Sequence, residues 1–273
     1  MVPPMMSSQE KLTSLADLLA FYAEAGVDEP LEELPVDRFV AAAPTRPAPT
    51  VEPDPQNVPP PRAYAAPVVP DEGQAVLARE RAAAANTLDE LKLAMASFEG
   101  CNLRLTAKNL VFADGNPEAD LMLVGEAPGR DEDIEGLPFV GRSGQLLNRI
   151  LAAIGRDRTS AYIANVIPWR PPGNRTPTPI ETEICRPFIE RQIELANPKV
   201  LITLGAPSSR TLLRTTEAIT RLRGGWRTFT TQSGVEIPTM PTLHPAYLLR
   251  TPAHKKLAWR DFLEVKAKLA NLT

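Results

Sequence analysis

Cysteine is almost missing from this sequence of 273 residues, which has 2. That excludes a disulfide framework and leads to the expectation of a reducing, cytoplasmic setting. Two thiols in one chain also fall short of the roughly four ligands that an iron–sulfur cluster takes. Histidine is equally scarce, His244 and His254 being the only 2. No apolar run reaches the about 18 residues of a membrane-spanning helix, so no membrane association is expected. The opening MVPPMMSSQEKL lacks a basic region followed by an apolar core, and is not expected to act as a secretory signal. At 43% apolar and 23% charged, the composition excludes a chain disordered throughout.

Proline, in contrast, is abundant, with 29 in the chain and ten of them within residues 44–70. Proline fixes φ and lacks an N–H, so this stretch cannot join a helix or sheet interior. Residues 44–72 are expected to be a stiff, extended linker. Before it, residues 1–43 form a separate segment in which Leu12, Leu15, Leu18, Leu19 and Tyr22 recur at helical spacing. Ser8 and Gly26 suit its start and stop. So short a helix is marginal alone and should dock on the main domain or on a protein partner. Charge is unevenly spread: residues 1–70 carry 4 basic and 10 acidic side chains, 71–198 carry 14 and 19, and 199–273 carry 12 and 4. The total of −3 therefore conceals a basic last third, which is either a solvated face or a contact for a polyanion.

Residues 119–125, 161–167, 199–205 and 237–243 are short apolar or β-rich runs, and the first three read as buried parallel strands. Helical patterns over 85–98, 143–154, 179–196, 206–214 and 255–270 alternate with them. Residues 73–273 are accordingly expected to form a three-layer α/β/α domain on a central, mainly parallel four-stranded sheet. Ligands of such sheets bind outside the C-terminal strand ends, which directs attention to the residues that follow each strand.

After the first strand comes Gly125-Glu126-Ala127-Pro128-Gly129, a tight loop that matches neither a dinucleotide fingerprint nor a P-loop. Phe139 then stands in a loop between Pro138 and Val140, where its ring either plugs the core or offers a flat face to a planar ligand. Asn165 lies inside an apolar strand, so its amide is bonded to a neighbouring loop or reads a ligand edge. His244 follows the last strand and is locked by Pro245; His254 sits in a polar turn.

GEAPGRDED, GLPFVGRSGQLL, IANVIPWRPPGNR and HPAYLLR, in that order, resemble the motif series of the uracil-DNA glycosylase superfamily, and within it most nearly family 4. The resemblance runs from about Phe98 to Lys268. It implies a monofunctional DNA repair enzyme, expected to be a monomer, that flips uracil out of DNA, hydrolyses its N-glycosidic bond and leaves an abasic site. It implies that Glu126 positions the attacking water and that Phe139 stacks on the uracil, with Gly125 and Ala127 beside it. Asn165 would bond the O4 and N3–H edge, and His244 would face O2. Arg142, Ser143, Arg170, Arg175, Leu248, Leu249 and Arg250 would contact DNA, one of the last three as the wedge that fills the gap in the duplex.

The residue types suit that chemistry. A base inside a duplex must be extruded to be reached. A donor fixed near O2 gains strength as the departing base becomes anionic, so it favours the transition state. Two departures from the family pattern stand out. The positions implied to hold four cluster cysteines read Phe98, Cys101, Trp169 and Cys185, so neither an iron–sulfur cofactor nor any metal is expected. Residues 171–178 contain no histidine, which leaves Arg170 and Arg175 as backbone contacts and makes covalent capture of the sugar there unexpected. The alternatives are a non-catalytic binder of uracil-containing or abasic DNA and a small-nucleotide hydrolase on the same scaffold.

Overall fold

The computed structural model describes residues 72–272. The expectations for residues 1–71, the helix over 8–26 and the proline-rich linker, lie outside the described residues. Six strands form one sheet in the order β1-β3-β2-β4-β6-β5: β1 (Asp114–Gly115), β2 (Leu121–Gly125), β3 (Tyr162–Asn165), β4 (Val200–Leu204), β5 (Arg227–Thr230) and β6 (Glu236–Thr242). The four anticipated strands are the parallel centre, with β2 flanked by β3 and β4, and β6 beside β4. β1 and β5 add short antiparallel edges.

Strand alternation sorts the core into two layers. Leu121, Leu123, Ile163, Val200 and Ile202 face one side of the sheet. There they pack against α5 (Arg142–Ala153), through Leu147 and Leu151, and α10 (Lys255–Ala270), through Phe262, Val265 and Leu269. Met122, Val124, Tyr162, Ala164 and Leu201 face the other side. They meet α1 (Glu72–Ala84), α2 (Leu88–Ser97) and α6 (Pro179–Ala196). α6 starts at a capping box in which Thr178 Oγ1 accepts from Glu181 N, and the Glu181 carboxylate accepts from Thr178 N. The remaining helices are short: α3 (Leu103–Thr106), α4 (Arg130–Glu135), α7 (Ala206–Leu213), α8 (Ile219–Leu222) and α9 (Pro245–Arg250). Among the described residues no helix is long and apolar enough to cross a membrane.

α1 escapes the sequence reading because it carries little amphipathic signal: the side chains it buries are the small Ala78 and Ala82, fitted against α6. β5 escapes for a related reason, since three of its four residues are exposed and Phe229 alone is buried.

One buried ion pair ties α10 to the sheet. Asp261 is 1% exposed and accepts from Arg223 and from Thr242 Oγ1 at the end of β6. Burial pushes its carboxyl upward while Arg223 and Thr242 pull it down. Gly224 is needed beside it: its φ is +75°, and a Cβ there would lie 2.8 Å from Asp261 Oδ1. Removing one partner of such a pair leaves an uncompensated buried charge. Asp261→Ala is therefore expected to lower the unfolding free energy by about 3–5 kcal/mol, measured by urea denaturation. A loss under about 1 kcal/mol, the scale of exposed pairs, would show that the pair does not anchor α10.

Candidate active site

The C-terminal ends of the parallel strands open into a single cleft of about 660 Å³. β2 delivers Gly125 and then Glu126; the parallel ladder runs on past the strand, Val166 N donating to Gly125 O and Ile167 N to Glu126 O. β3 delivers Asn165, β4 delivers Gly205, and β6 leads to His244. Phe139 enters from the loop between α4 and α5.

Asn165 is 5% exposed, and its Oδ1 is buried without a hydrogen-bond partner. Leaving such an acceptor unpaired costs about 1–3 kcal/mol, so the cleft holds a place for a donor from a ligand. Gly125 makes this possible. A Cβ there would lie 2.4 Å from Asn165 Oδ1 and 2.6 Å from Phe139 Cζ, so only glycine lets amide and ring close over the strand end.

His244 caps α9 by accepting from Ala246 N through Nδ1 at 3.1 Å. An accepting Nδ1 leaves Nε2 to carry the proton and serve as donor. Burial, then the nearby Arg250 charge, pull its pKa down to about 4, so the imidazole is neutral at pH 7. Its ring lies 5.5 Å from that of Phe139, with 30° between the planes. Gly205, at a φ of +92°, admits it: a Cβ there would come within 3.0 Å of His244 Cβ. Burial raises the Glu126 carboxyl above its ordinary value.

The anticipated residues divide into two groups. Glu126, Ala127, Phe139, Ser143, Asn165, Arg175, His244 and Arg250 line the cleft, and Gly125 lies directly behind its amide and ring. Arg142, Arg170 and Leu249 lie outside the lining. Leu249 is exposed; Arg170 Nε donates to Asn174 Oδ1 at 2.7 Å. Arg175 holds Glu181 with two hydrogen bonds at the cap of α6, and its side chain stays 43% exposed. Leu248 is corrected outright: at 1% exposure it packs with Leu243 and Ala258, and is not available as a wedge.

Sequence reading missed two charged residues around the Phe139 loop. The Glu132 carboxylate accepts from Gly129 N at 3.0 Å and from Val140 N and Gly141 N at 3.1 Å each. Its place three residues after a loop glycine is a capping signal that could have revealed it. Arg158 donates to the carbonyls of Pro138 and Phe139 and pairs with Asp114. Nothing in its local sequence points there.

Behind the sheet, Cys101 and Cys185 face each other with sulfurs 3.8 Å apart. Phe98 and Trp169, 4% and 2% exposed, fill the same core region, Phe98 edge-on to Phe188 at 5.2 Å. The thiol pair is asymmetric. Its shared hydrogen bond lowers Cys101, while that bond and burial raise Cys185.

A family model described as the uracil DNA glycosylase superfamily matches residues 112–263. The type-4 uracil-DNA glycosylase of Saccharolobus solfataricus is 39% identical over 191 residues, covering 68% of this chain and 88% of that protein. That of Thermotoga maritima is 41% identical over 173 residues, covering 61% and 86%. That of Archaeoglobus fulgidus is 36% identical over 184 residues, covering 66% and 92%. These relatives correct the cofactor expectation. Type-4 enzymes are iron–sulfur proteins, and the relatives point to an iron–sulfur cofactor rather than to none. Of the four implied positions, this chain's residues supply thiols at Cys101 and Cys185 and aromatic rings at Phe98 and Trp169. That set does not fit a cluster held by four thiolates of one chain. The matched span takes in the strands, the cleft and its four converging side chains, and the chain belongs to the uracil-DNA glycosylase superfamily.

Proposed function

We propose that the cleft takes a uracil extruded from DNA and that Glu126, Phe139, Asn165 and His244 carry out its release. The activity is that of a DNA repair uracil-DNA glycosylase: water replaces the base at the sugar carbon, giving free uracil and an abasic site. The observation that carries the site assignment is the unpartnered Asn165 Oδ1, buried beside an aromatic ring and an imidazole donor.

In this reading uracil N3–H donates to Asn165 Oδ1, and the Asn165 amide N–H donates to O4. Cytosine reverses both groups, which leaves two buried mismatches at about 1–3 kcal/mol each. The Phe139 face replaces stacking lost on extrusion, a contribution of about 1–3 kcal/mol. Glu126 accepts a hydrogen bond from the attacking water and aims it at the sugar; its raised pKa makes it the better base. As the bond to the sugar breaks, electrons move onto the base, and the fixed His244 Nε2–H meets the growing charge at O2. Arg250 stands beside His244 at the mouth of the cleft, and Leu249 next to it is the exposed apolar side chain suited to fill the vacated stack. Arg142, Ser143, Arg170 and Arg175 are assigned to the DNA backbone around the opening.

Glu126→Gln, Asn165→Ala and His244→Ala are each expected to slow uracil release by about a hundred- to a thousandfold, the range seen when one preorganised donor is lost. Incubation with a uracil-containing oligonucleotide, then hot alkali to cut at abasic sites, measures this. Release at the unmodified rate in all three variants sinks the assignment, and tight binding without free uracil would mark a binder instead.

A second outcome concerns pH. His244 has a folded pKa of about 4 against an ordinary 6.5, so the unfolded chain binds the extra proton between those values. The stability that comes from burying it neutral is full above about pH 6.5 and is lost as pH falls toward 4. Ring resonances of His244 followed by NMR should stay in the neutral position from pH 8 to about 5. Titration near 6.5 would contradict the geometry.

A further inference from the structure

Phe139 is held in a conformation that its own sequence does not favour. Its φ is 55°, in the left-handed region, where a bulky residue is an outlier. Such a backbone persists only when its surroundings over-determine it. The surroundings here are two buried or half-buried charges. The guanidinium of Arg158 donates to the carbonyl of Pro138 at 3.1 Å and to that of Phe139. The carboxylate of Glu132 accepts from the amides of Val140 and Gly141, at 3.1 Å each. Four successive residues, 138 to 141, thus have a backbone group gripped by a charge of matching sign. Asp114 pairs with Arg158, and Asn148 accepts from its Nε at 3.0 Å, so the fork itself is fixed. Gly144 in α5 makes room below: a Cβ there would fall 1.6 Å from the Phe139 carbonyl oxygen.

We infer that Arg158 and Glu132 are positioning residues for the reaction, a pair of opposite charges that together hold the Phe139 ring as a preset stacking face. The inference deepens the reading of the cleft as a uracil site and rests on it. Charged hydrogen bonds suit this task, being about twice as strong as neutral ones. Glu132 has a further tie. Its third bond, to Gly129 N, joins the Phe139 loop to the loop that carries Glu126, so ring and water-holding carboxylate are set by one side chain. Neither residue is assigned any contact with the base: the carboxylate of Glu132 and the fork of Arg158 are occupied by backbone.

The test is a double-mutant cycle with uracil-containing oligonucleotide as substrate. Arg158→Met and Glu132→Gln, alone and combined with Phe139→Leu, are assayed for single-turnover release and for affinity to a uracil-free oligonucleotide. Arg158→Lys keeps the charge but not the fork. With the ring present, Arg158→Met and Glu132→Gln are expected to slow release about tenfold, within the range of one stacked ring. Arg158→Lys should recover part of that loss. In the Phe139→Leu background Arg158→Met should change the rate by less than about twofold, while Glu132→Gln should keep only the part of its loss that runs through the Glu126 loop, since residues acting through one another are not additive. Affinity for uracil-free DNA should hold within about twofold throughout. Equal losses with and without the ring, or losses in DNA affinity alone, overturn the inference. Where Arg158→Met does not fold, Arg158→Lys and Glu132→Gln decide it by the same comparison. If the wild-type protein releases no uracil, the reading of the cleft falls instead, a result distinct from the failure of the clamp.

Discussion

A buried amide oxygen with nothing to accept is the constraint around which this molecule is arranged. Asn165 ends a strand flanked on both sides, and its Oδ1 is left unpaired at the floor of the cleft. Gly125, without a side chain, leaves room for the buried oxygen and for the Phe139 ring beside it. The parallel sheet is what brings these pieces together. With β2, β3, β4 and β6 aligned, residues far apart in sequence emerge at one edge. A cleft that presents a buried acceptor discriminates through the cost of the wrong ligand, because a base with reversed polarity leaves that oxygen unpaired.

Legibility in the sequence followed physical signal. The four central strands are continuous apolar runs because both of their faces are buried, and such runs are visible without any partner information. Glu126, Asn165 and His244 were visible for the opposite reason: each is a polar group immediately after or inside such a run. α1 was not, since alanines on its buried face carry no periodic contrast. Arg158 was not, because its partners Asp114 and Phe139 lie 44 and 19 residues away in sequence, and only the fold joins them. Leu248 was misplaced because helical phase within a six-residue segment is not fixed by sequence. One turn of α9 decides that Leu248 faces the core while Leu249 and Arg250 face out. The cofactor was misjudged from a count of thiols, and relatives of the same family overturned it.

Charge needs the structure to be interpreted. The basic last third suggested a polyanion surface, yet one of its charges is consumed internally. Arg223 is committed to Asp261, while Arg214 and Arg227 reach Glu190 and Glu217 only as exposed pairs at 3.5 and 3.6 Å. Arg175, earlier in the chain, is committed to Glu181. The pair on Asp261, 1% exposed, serves the fold. The positive charge that bears on the reaction is therefore better judged at the mouth of the cleft, where Arg250 stands, than from the segment total.

Burial, supported by Arg250, explains why the imidazole is neutral. Burial of His244 disfavours a positive charge, and the nearby guanidinium disfavours it further, so the ring is left with one proton on Nε2. For breaking an N-glycosidic bond this is an advantage. A cationic ring would attract DNA phosphates and bind the ground state as well as the transition state, and uniform binding does not raise the rate of the chemical step. A neutral N–H fixed by the Ala246 amide gains most once the base becomes an anion, and it needs no reorganisation at that moment. The arrangement also separates two tasks. Phe139, held by Glu132 and Arg158, supplies the face on which a planar base rests, while His244 supplies a response to charge that exists only as the base departs.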